Sequence, residues 1–166
     1  MCESEDRRQQ ATGIAIWLLD TLALRLGNNR ETGAGTVGIT SLKVSQIWVA
    51  GTKLQLDFLG KDSVRYQNTV AAPAWLREAV LRAAEGKSED QILLSATSST
   101  EVNGHLQGYL PGLSGKVFRT YNASSAFQEL LDRASEGVVD VPEGKRAAYL
   151  IAAYQSANGK GALLCH

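Results

Sequence analysis

The feature that most constrains the fold is a change of hydrophobic period along the chain. Apolar and polar side chains alternate over residues 42–49 and 53–58, and the alternation resumes at 64–66. This pattern predicts three short strands joined by tight turns. The flanking stretches instead carry apolar residues at the three-to-four spacing of a helix. The sequence therefore predicts a single α+β domain that is mostly helical, with a small three-stranded antiparallel sheet.

The helices can be placed by their apolar faces and their start and stop signals. The first carries Ile14, Leu18 and Leu22 on one face and is expected to end near Arg25, before the glycine and asparagines at 27–29. A loop is expected at 30–37. Further helices are expected from Pro73 to Gly86, as a short helix starting at 88–90, from a capping pattern at 98–101 to Pro111, over 114–134, and over 143–158 after an acidic connection.

Length and composition favour one packed core. The chain has 166 residues, of which 44% are hydrophobic, enough for a single globular domain.

No apolar run is long enough to span a bilayer, and the N-terminal stretch lacks the apolar segment of a signal peptide. We therefore expect a soluble, intracellular protein without a membrane partner. Cys2 and Cys165 have no metal-ligand spacing, which supports neither a zinc site nor a disulfide framework.

The charges balance overall but are unevenly distributed. Lys plus Arg and Asp plus Glu each number 17, so net charge gives no general signature of a nucleic-acid binder. Residues 21–70 nevertheless carry a small basic excess, and residues 126–145 an acidic one. Such differences are a weak indication of an anionic ligand, because ordinary surfaces show them too.

Two polar motifs carry candidate chemistry. Lys61 lies at the predicted turn after the second strand, where it is either an anion donor or a solvated turn lysine. Lys116 and Arg119 are three residues apart and share a helix face, so they either contact one phosphate or form a basic surface stripe. Phosphate-loop, GxSxG, HExxH and paired CxxC motifs do not occur. The residues alone leave both alternatives open.

Four segments together carry a family resemblance. They read LALRLGN (22–28), TVG (36–38), FLGKDSVRY (58–66) and KVFRTYNAS (116–124). In order and spacing they resemble the catalytic core of eukaryotic-type type IB DNA topoisomerases. The resemblance extends from about residue 8 to the end of the chain. It implies the DNA breaking-rejoining, tyrosine recombinase-like catalytic fold, with residues 1–166 forming part of that single core domain.

The resemblance also implies a reaction and roles for particular residues. In the family, a tyrosine attacks a DNA phosphodiester, leaving a 3′-phosphotyrosyl link and a free 5′-hydroxyl. Rotation of the cut strand releases supercoils, and reversal reseals the nick. Arg25 and Arg119 would clamp the non-bridging oxygens, and Lys61 would protonate the leaving oxygen. Lys116 would replace the histidine of the related recombinases' HxxR box. No ATP and no metal are needed, since the phosphotyrosine retains the bond energy.

Double-stranded DNA is the implied partner and the nucleus the implied location. By alignment with the family's DNA-contacting segments, the expected DNA-binding residues are Arg25, Leu26, Gly27, Asn28, Asn29, Arg30, Asp62, Ser114, Gly115 and Lys116.

This sequence departs from the family pattern in several places. The DNA-embracing lobes, helical linker and C-terminal tyrosine domain are expected to be absent, so the nucleophile would come from a separate chain or domain. The tyrosines at 66, 109, 121, 149 and 154 are assigned to core or motif positions. His166 follows Leu-Cys where the family has Leu-Cys-Asn-His, so it is either the catalytic histidine shifted by one residue or a neighbour of it. A non-catalytic DNA-binding module that retains the fold is the alternative function.

Overall fold

The computed structural model describes residues 2–27, 37–60 and 63–164. Its helices are α1 (Cys2–Leu22), α2 (Ala74–Ala84), α3 (Ser99–Tyr109), α4 (Gly115–Gly137) and α5 (Glu143–Leu164). Its strands are β1 (Ile47–Ala50), β2 (Lys53–Leu59) and β3 (Arg65–Ala71). The predicted α+β architecture is confirmed. Among the described residues, no helix has both the length and the apolar character needed to cross a membrane.

The sheet is antiparallel in the order β1-β2-β3, as predicted. Its inner face contributes Ile47, Leu54 and Leu56, which are nearly inaccessible to solvent. They belong to one apolar core with Ile14 and Leu18 of α1. Burial of these side chains supplies most of the driving force for folding. The core therefore packs β2 against the body of α1.

The first strand begins later than the alternation predicted. Residues 42–46 are not strand, because the Val44 and Ser45 amides donate to the carbonyls of Gln91 and Glu89, both at 3.0 Å. A short 3-10 turn follows, Val44–Gln46, before β1. Alternation alone cannot distinguish such a stretch from a strand, because the deciding partner lies more than forty residues further along the sequence.

The short helix expected at 88–90 is wrong. This segment is a series of turns, and the ammonium of Lys87 holds it by donating to the carbonyl oxygens of Ile92 (3.1 Å) and Leu93 (2.5 Å). The Leu93 amide also donates to Leu42. Burial and the positive charge of Arg7 lower the pKa of Lys87. Contacts distant in sequence thus satisfy the backbone in place of a helix.

The later helices match their start signals. The Ser98 hydroxyl accepts from the Glu101 amide at 3.2 Å and donates to the Glu101 carboxylate at 2.9 Å, which is the predicted capping box of α3. Helices α4 and α5 both continue past their predicted ends, to Gly137 and Leu164, and pack along each other. Trp75, in the first turn of α2, is 51% exposed although the helix packs Leu76 into the core.

Candidate phosphate-binding site at the end of helix α1

Helix α1 ends at Leu22, three residues before the predicted end near Arg25. The cause is Ala23, whose φ of 51° places it in the left-handed region. This region usually takes glycine at a helix C-terminus, because an L side chain is strained there. After this turn, the carbonyls of Arg25 and Leu26 accept from the Ile39 and Thr40 amides, both at 2.8 Å.

The backbone that carries Arg25 is fixed, while its side chain is exposed to solvent. Leu24 and Leu26 on either side are buried, 4% and 8% exposed. The Thr40 hydroxyl adds a 2.7 Å hydrogen bond to the Leu26 carbonyl. The Arg25 guanidinium is exposed to solvent and attached to a rigid backbone. It is therefore suited to bind an anionic ligand.

Two glycines allow the chain to close on itself beside Arg25. Gly27 has a φ of +89°, and a Cβ built on Gly38 would lie 2.4 Å from both the Cα and the N of Gly27. It would also lie 2.9 Å from the Arg25 carbonyl oxygen. Only a residue without a Cβ permits this approach of two backbones.

Helix α4 contacts the same place from another side. The Nε of Arg119 donates to the Ala23 carbonyl at 2.8 Å, and the Asn122 amide donates to the Asp20 carbonyl at 2.5 Å. At Gly115, the first residue of α4, a Cβ would lie 2.7 Å from a methyl carbon of Leu26. Arg119 is therefore held by the residue two positions before Arg25.

Val37 connects the segment that carries Arg25 with the end of β2. The Val37 amide donates to the Leu59 carbonyl at 3.3 Å, and the Gly60 amide donates to the Val64 carbonyl at 2.8 Å. Val37 precedes the Gly38 that contacts Gly27. Continuous backbone contacts therefore connect the strand end before residue 61 with the segment carrying Arg25.

Several expected site residues cannot be placed. Lys61, Asp62, Asn28, Asn29, Arg30 and His166 lie outside the described residues. Within them, Lys116 is exposed on the first turn of α4, and Ser114 is the N-cap residue, whose side chain makes no capping hydrogen bond. The structure brings together Arg25, Leu26, Gly27, Gly115 and Arg119.

Arg65, at the start of β3, forms an ion pair, so its charge is not available to bind a ligand. The guanidinium of Arg65 donates twice to the Asp57 carboxylate, at 2.8 and 2.6 Å, and Gln67 adds a third contact at 3.3 Å. These hydrogen bonds, chiefly the ones from Arg65, lower the pKa of Asp57. Arg65 is therefore a structural partner of β2, although it contributed to the basic excess in the sequence.

The tyrosines are less buried than expected. Tyr109 and Tyr154 are 76% and 54% exposed, so the core assignment from helical spacing is wrong for both; Tyr121, a position of the KVFRTYNAS motif, is 69% exposed. Tyr66 is half-buried, its hydroxyl accepts from the Asn68 amide at 2.9 Å, and burial raises its pKa. Tyr121 follows Arg119 by two residues on α4, which points the two side chains to different sides of the helix.

Sequence reasoning missed the roles of Ala23 and Asn122. Asn122 lies within the KVFRTYNAS segment, but its role depends on the Asp20 carbonyl, 102 residues earlier. The available signal was spacing: Arg119 and Asn122 are three apart and share a helix face. No sequence signal marks Ala23, because alanine rarely adopts a left-handed conformation.

The cavity that the described residues form lies apart from this site. A cavity of about 490 Å³ exists, but Arg7, Arg8, Ser95, Ala96, Thr97, Ser98 and Glu101 line it. The α1 residues among these lie about 20 Å from the Leu22 end, at 1.5 Å per residue. An exposed site at the end of α1 is accessible to a polymer as well as to a small molecule.

An exposed arginine on a backbone held by hydrogen bonds and a second arginine from another helix form a candidate phosphate-binding site. The family model described as the catalytic core of eukaryotic DNA topoisomerase I matches residues 1–166, and the chain belongs to this family. It is 36% identical over 165 residues to DNA topoisomerase 1 alpha of Arabidopsis thaliana and 38% identical over 170 to DNA topoisomerase 1 of Daucus carota.

A third relative has a name that specifies another compartment. The chain is 35% identical over 175 residues to a protein of Rattus norvegicus named DNA topoisomerase I, mitochondrial. These alignments cover 98%, 98% and 99% of this chain, but only 17%, 21% and 28% of the three relatives. The chain thus spans less than a third of the length of these curated relatives.

Proposed function

We propose that this chain is the phosphate-binding part of a type IB DNA topoisomerase. The reaction relaxes supercoiled duplex DNA by transient cleavage of one strand through a 3′-phosphotyrosine, followed by religation. The observation that carries the proposal is the Arg119–Ala23 hydrogen bond, which fixes one arginine two residues from the other. Membership of the topoisomerase family makes a DNA phosphodiester the appropriate ligand.

The two arginines stabilise the transition state. As the phosphorus becomes five-coordinate, negative charge increases on its non-bridging oxygens, and positive groups fixed beforehand lower the barrier most. Guanidiniums suit this role because they stay charged and can grip two oxygens. Arg25 supplies one from the end of α1, and Arg119 supplies the other from α4.

Lys61 is the proposed general acid; it follows the end of β2, where the Leu59 carbonyl accepts from the Val37 amide. Its ammonium protonates the 5′ oxygen as the P–O bond breaks, so a hydroxyl leaves and not an alkoxide. In the same step the tyrosine oxygen loses its proton to solvent and bonds to phosphorus, and the new ester retains the energy of the phosphodiester. Neither ATP nor a metal is needed in this scheme.

The nucleophilic tyrosine is proposed to come from another segment or chain. Tyr66 is half-buried and hydrogen-bonded to Asn68, and Tyr121 points away from the face of α4 that carries Arg119. The ring of Tyr154 packs edge-on against Phe127, with 5.5 Å between centroids. These placements favour a nucleophile from outside the described core. Nuclear localisation remains a proposal from the resemblance, and imaging of a fluorescent fusion would distinguish it from a mitochondrial location.

The test supplies a separate tyrosine-bearing segment of the family in trans and measures DNA cleavage. Lys61→Ala is expected to slow cleavage of ordinary DNA by about 10²–10⁴-fold. A substrate with sulfur at the 5′ bridging position, a far better leaving group, should recover most of that loss. Arg119→Ala should not recover, because the non-bridging oxygens are unchanged in that substrate.

Arg133→Ala is the matched control. Arg133 lies on the same helix as Arg119 but pairs with Glu129, so its loss should leave cleavage unchanged. Equal rescue of the Lys61 and Arg119 variants would overturn the assignment of the acid. DNA binding with no cleavage in the presence of the tyrosine segment would support the alternative, a DNA-binding module without catalysis.

A further inference from the structure

The end of α1 has backbone acceptors that α1 itself cannot satisfy. The last four carbonyls of a helix have no amide one turn ahead to bind them. Asp20 lies in this last turn, and Ala23 follows in its left-handed turn. Two side chains of α4 serve these carbonyls: Asn122 reaches Asp20, and Arg119 reaches Ala23. Helix α4 therefore acts as an external cap on α1.

The spacing of this cap matches on the two helices. Arg119 and Asn122 are three residues apart on α4, and the acceptors at 20 and 23 are three residues apart on the chain leaving α1. Arg119 has a long side chain, so its hydrogen bond to Ala23 sets the rotation of α4 only loosely. The hydrogen bond from the shorter Asn122 side chain defines that rotation more closely.

We infer that Asn122 is a positioning residue for Arg119: its hydrogen bond to the Asp20 carbonyl holds α4 in the rotation that brings the Arg119 Nε onto the Ala23 carbonyl. The catalytic consequence rests on the function proposed above, but the geometric one does not. Ala23 contributes because its strained left-handed turn places its carbonyl opposite α4. Asn122 itself is not catalytic.

The variant that tests Asn122 should remove the amide donor and keep the shape of the side chain. Asn122→Asp does so, because a carboxylate oxygen takes the place of the amide nitrogen and cannot donate to the Asp20 carbonyl. The matched control is Gln128→Ala on the same helix, since Gln128 donates only within α4, to Asp132 at 2.7 Å. Urea unfolding of both variants establishes that each remains folded under the assay conditions.

The first measurement requires neither DNA nor activity. The Nε–H proton of Arg119 donates to a backbone carbonyl, so NMR should show slower exchange with solvent for it than for an exposed arginine. Asn122→Asp should speed this exchange several-fold, while Gln128→Ala should leave it unchanged. Unchanged exchange in a folded Asn122→Asp protein would overturn the inference, whatever the chain does to DNA.

The second measurement is cleavage with the tyrosine segment supplied in trans. A displaced clamp should lower kcat by about ten- to a hundredfold with little change in KM, because the clamp acts mainly on the transition state. A rise in KM with kcat unchanged would contradict the positioning role. If Arg119→Ala itself left cleavage unaffected, the proposed function would fail, and the NMR result would still decide the geometric inference.

Discussion

At the scale of single residues, the site depends on places where a side chain would not fit. Gly38→Ala would place a Cβ 2.4 Å from two backbone atoms of Gly27, and backbone atoms cannot rotate away as a side chain can. We expect the substitution to lower the free energy of unfolding by about 1–3 kcal/mol. Urea unfolding followed by tryptophan fluorescence measures this loss.

Gly104→Ala is the control. A Cβ at this exposed position in α3 meets nothing within 4 Å, so alanine should stabilise the protein by about 0.5–1 kcal/mol through its higher helix propensity. Equal effects of the two substitutions would show that residues 27 and 38 are not in close backbone contact.

Some single-residue features of this fold can be predicted from the sequence, and others cannot. The Ser98 cap was predictable, because donor and acceptor lie three residues apart in a recognisable pattern. The end of α1 was not, since Ala23 takes a conformation that its side chain disfavours. The roles proposed for Arg25 and Arg119 rest on the family resemblance, whereas their connection through Ala23 required the fold.

At the scale of secondary-structure elements, β2 and β3 are joined by a charge pair as well as by backbone hydrogen bonds. Hydrogen bonds from Arg65 hold the pKa of Asp57 below 3.8, the value of an unperturbed aspartate. The pair therefore stabilises the folded state above pH 3.8, and this contribution is lost as pH falls through the lower, folded-state pKa. Because Arg65 is paired with Asp57, the basic excess counted over residues 21–70 overstates the positive charge available to an anionic ligand.

Asp57→Asn should consequently be less stable than the parent protein at neutral pH, by a modest amount because the pair is exposed. The difference should shrink once the pH falls below 3.8. Urea unfolding over a pH series measures it. Asp132→Asn is the control, since Asp132 accepts from Gln128 and not from an arginine. A constant difference between parent and Asp57→Asn at every pH would contradict the assigned pair.

At the scale of the whole molecule, the proposed DNA surface lies around the end of α1 and the start of α4. Duplex binding should weaken linearly on a plot of log affinity against log salt, because cations at phosphates displace counterions. Lys116→Gln should reduce the slope by about 1, whereas Lys145→Gln, at the start of α5, should not. Fluorescence anisotropy with a labelled duplex gives both slopes. Affinity independent of ionic strength would rule out a phosphate-binding surface.

The purified chain alone should not relax supercoiled plasmid. The proposed nucleophile comes from another segment or chain, so we expect no phosphotyrosyl bond to form. Gel electrophoresis of plasmid topoisomers tests this. Relaxation that disappears with Arg119→Ala would contradict the expectation, because a contaminating enzyme would not respond to that substitution.

The close approach of Gly27 and Gly38 also bears on how the sequence can change in length. Whatever residues 28–36 contribute, both ends of that stretch are anchored at one point by backbone contact. Lengthening a closed stretch costs only about 0.6 kcal/mol per doubling of its length. Insertions after Arg30, by natural divergence or as an engineered reporter peptide, should therefore leave Arg25 in place. The glycine contact thus separates a part of the chain whose length can change from the part that holds Arg25.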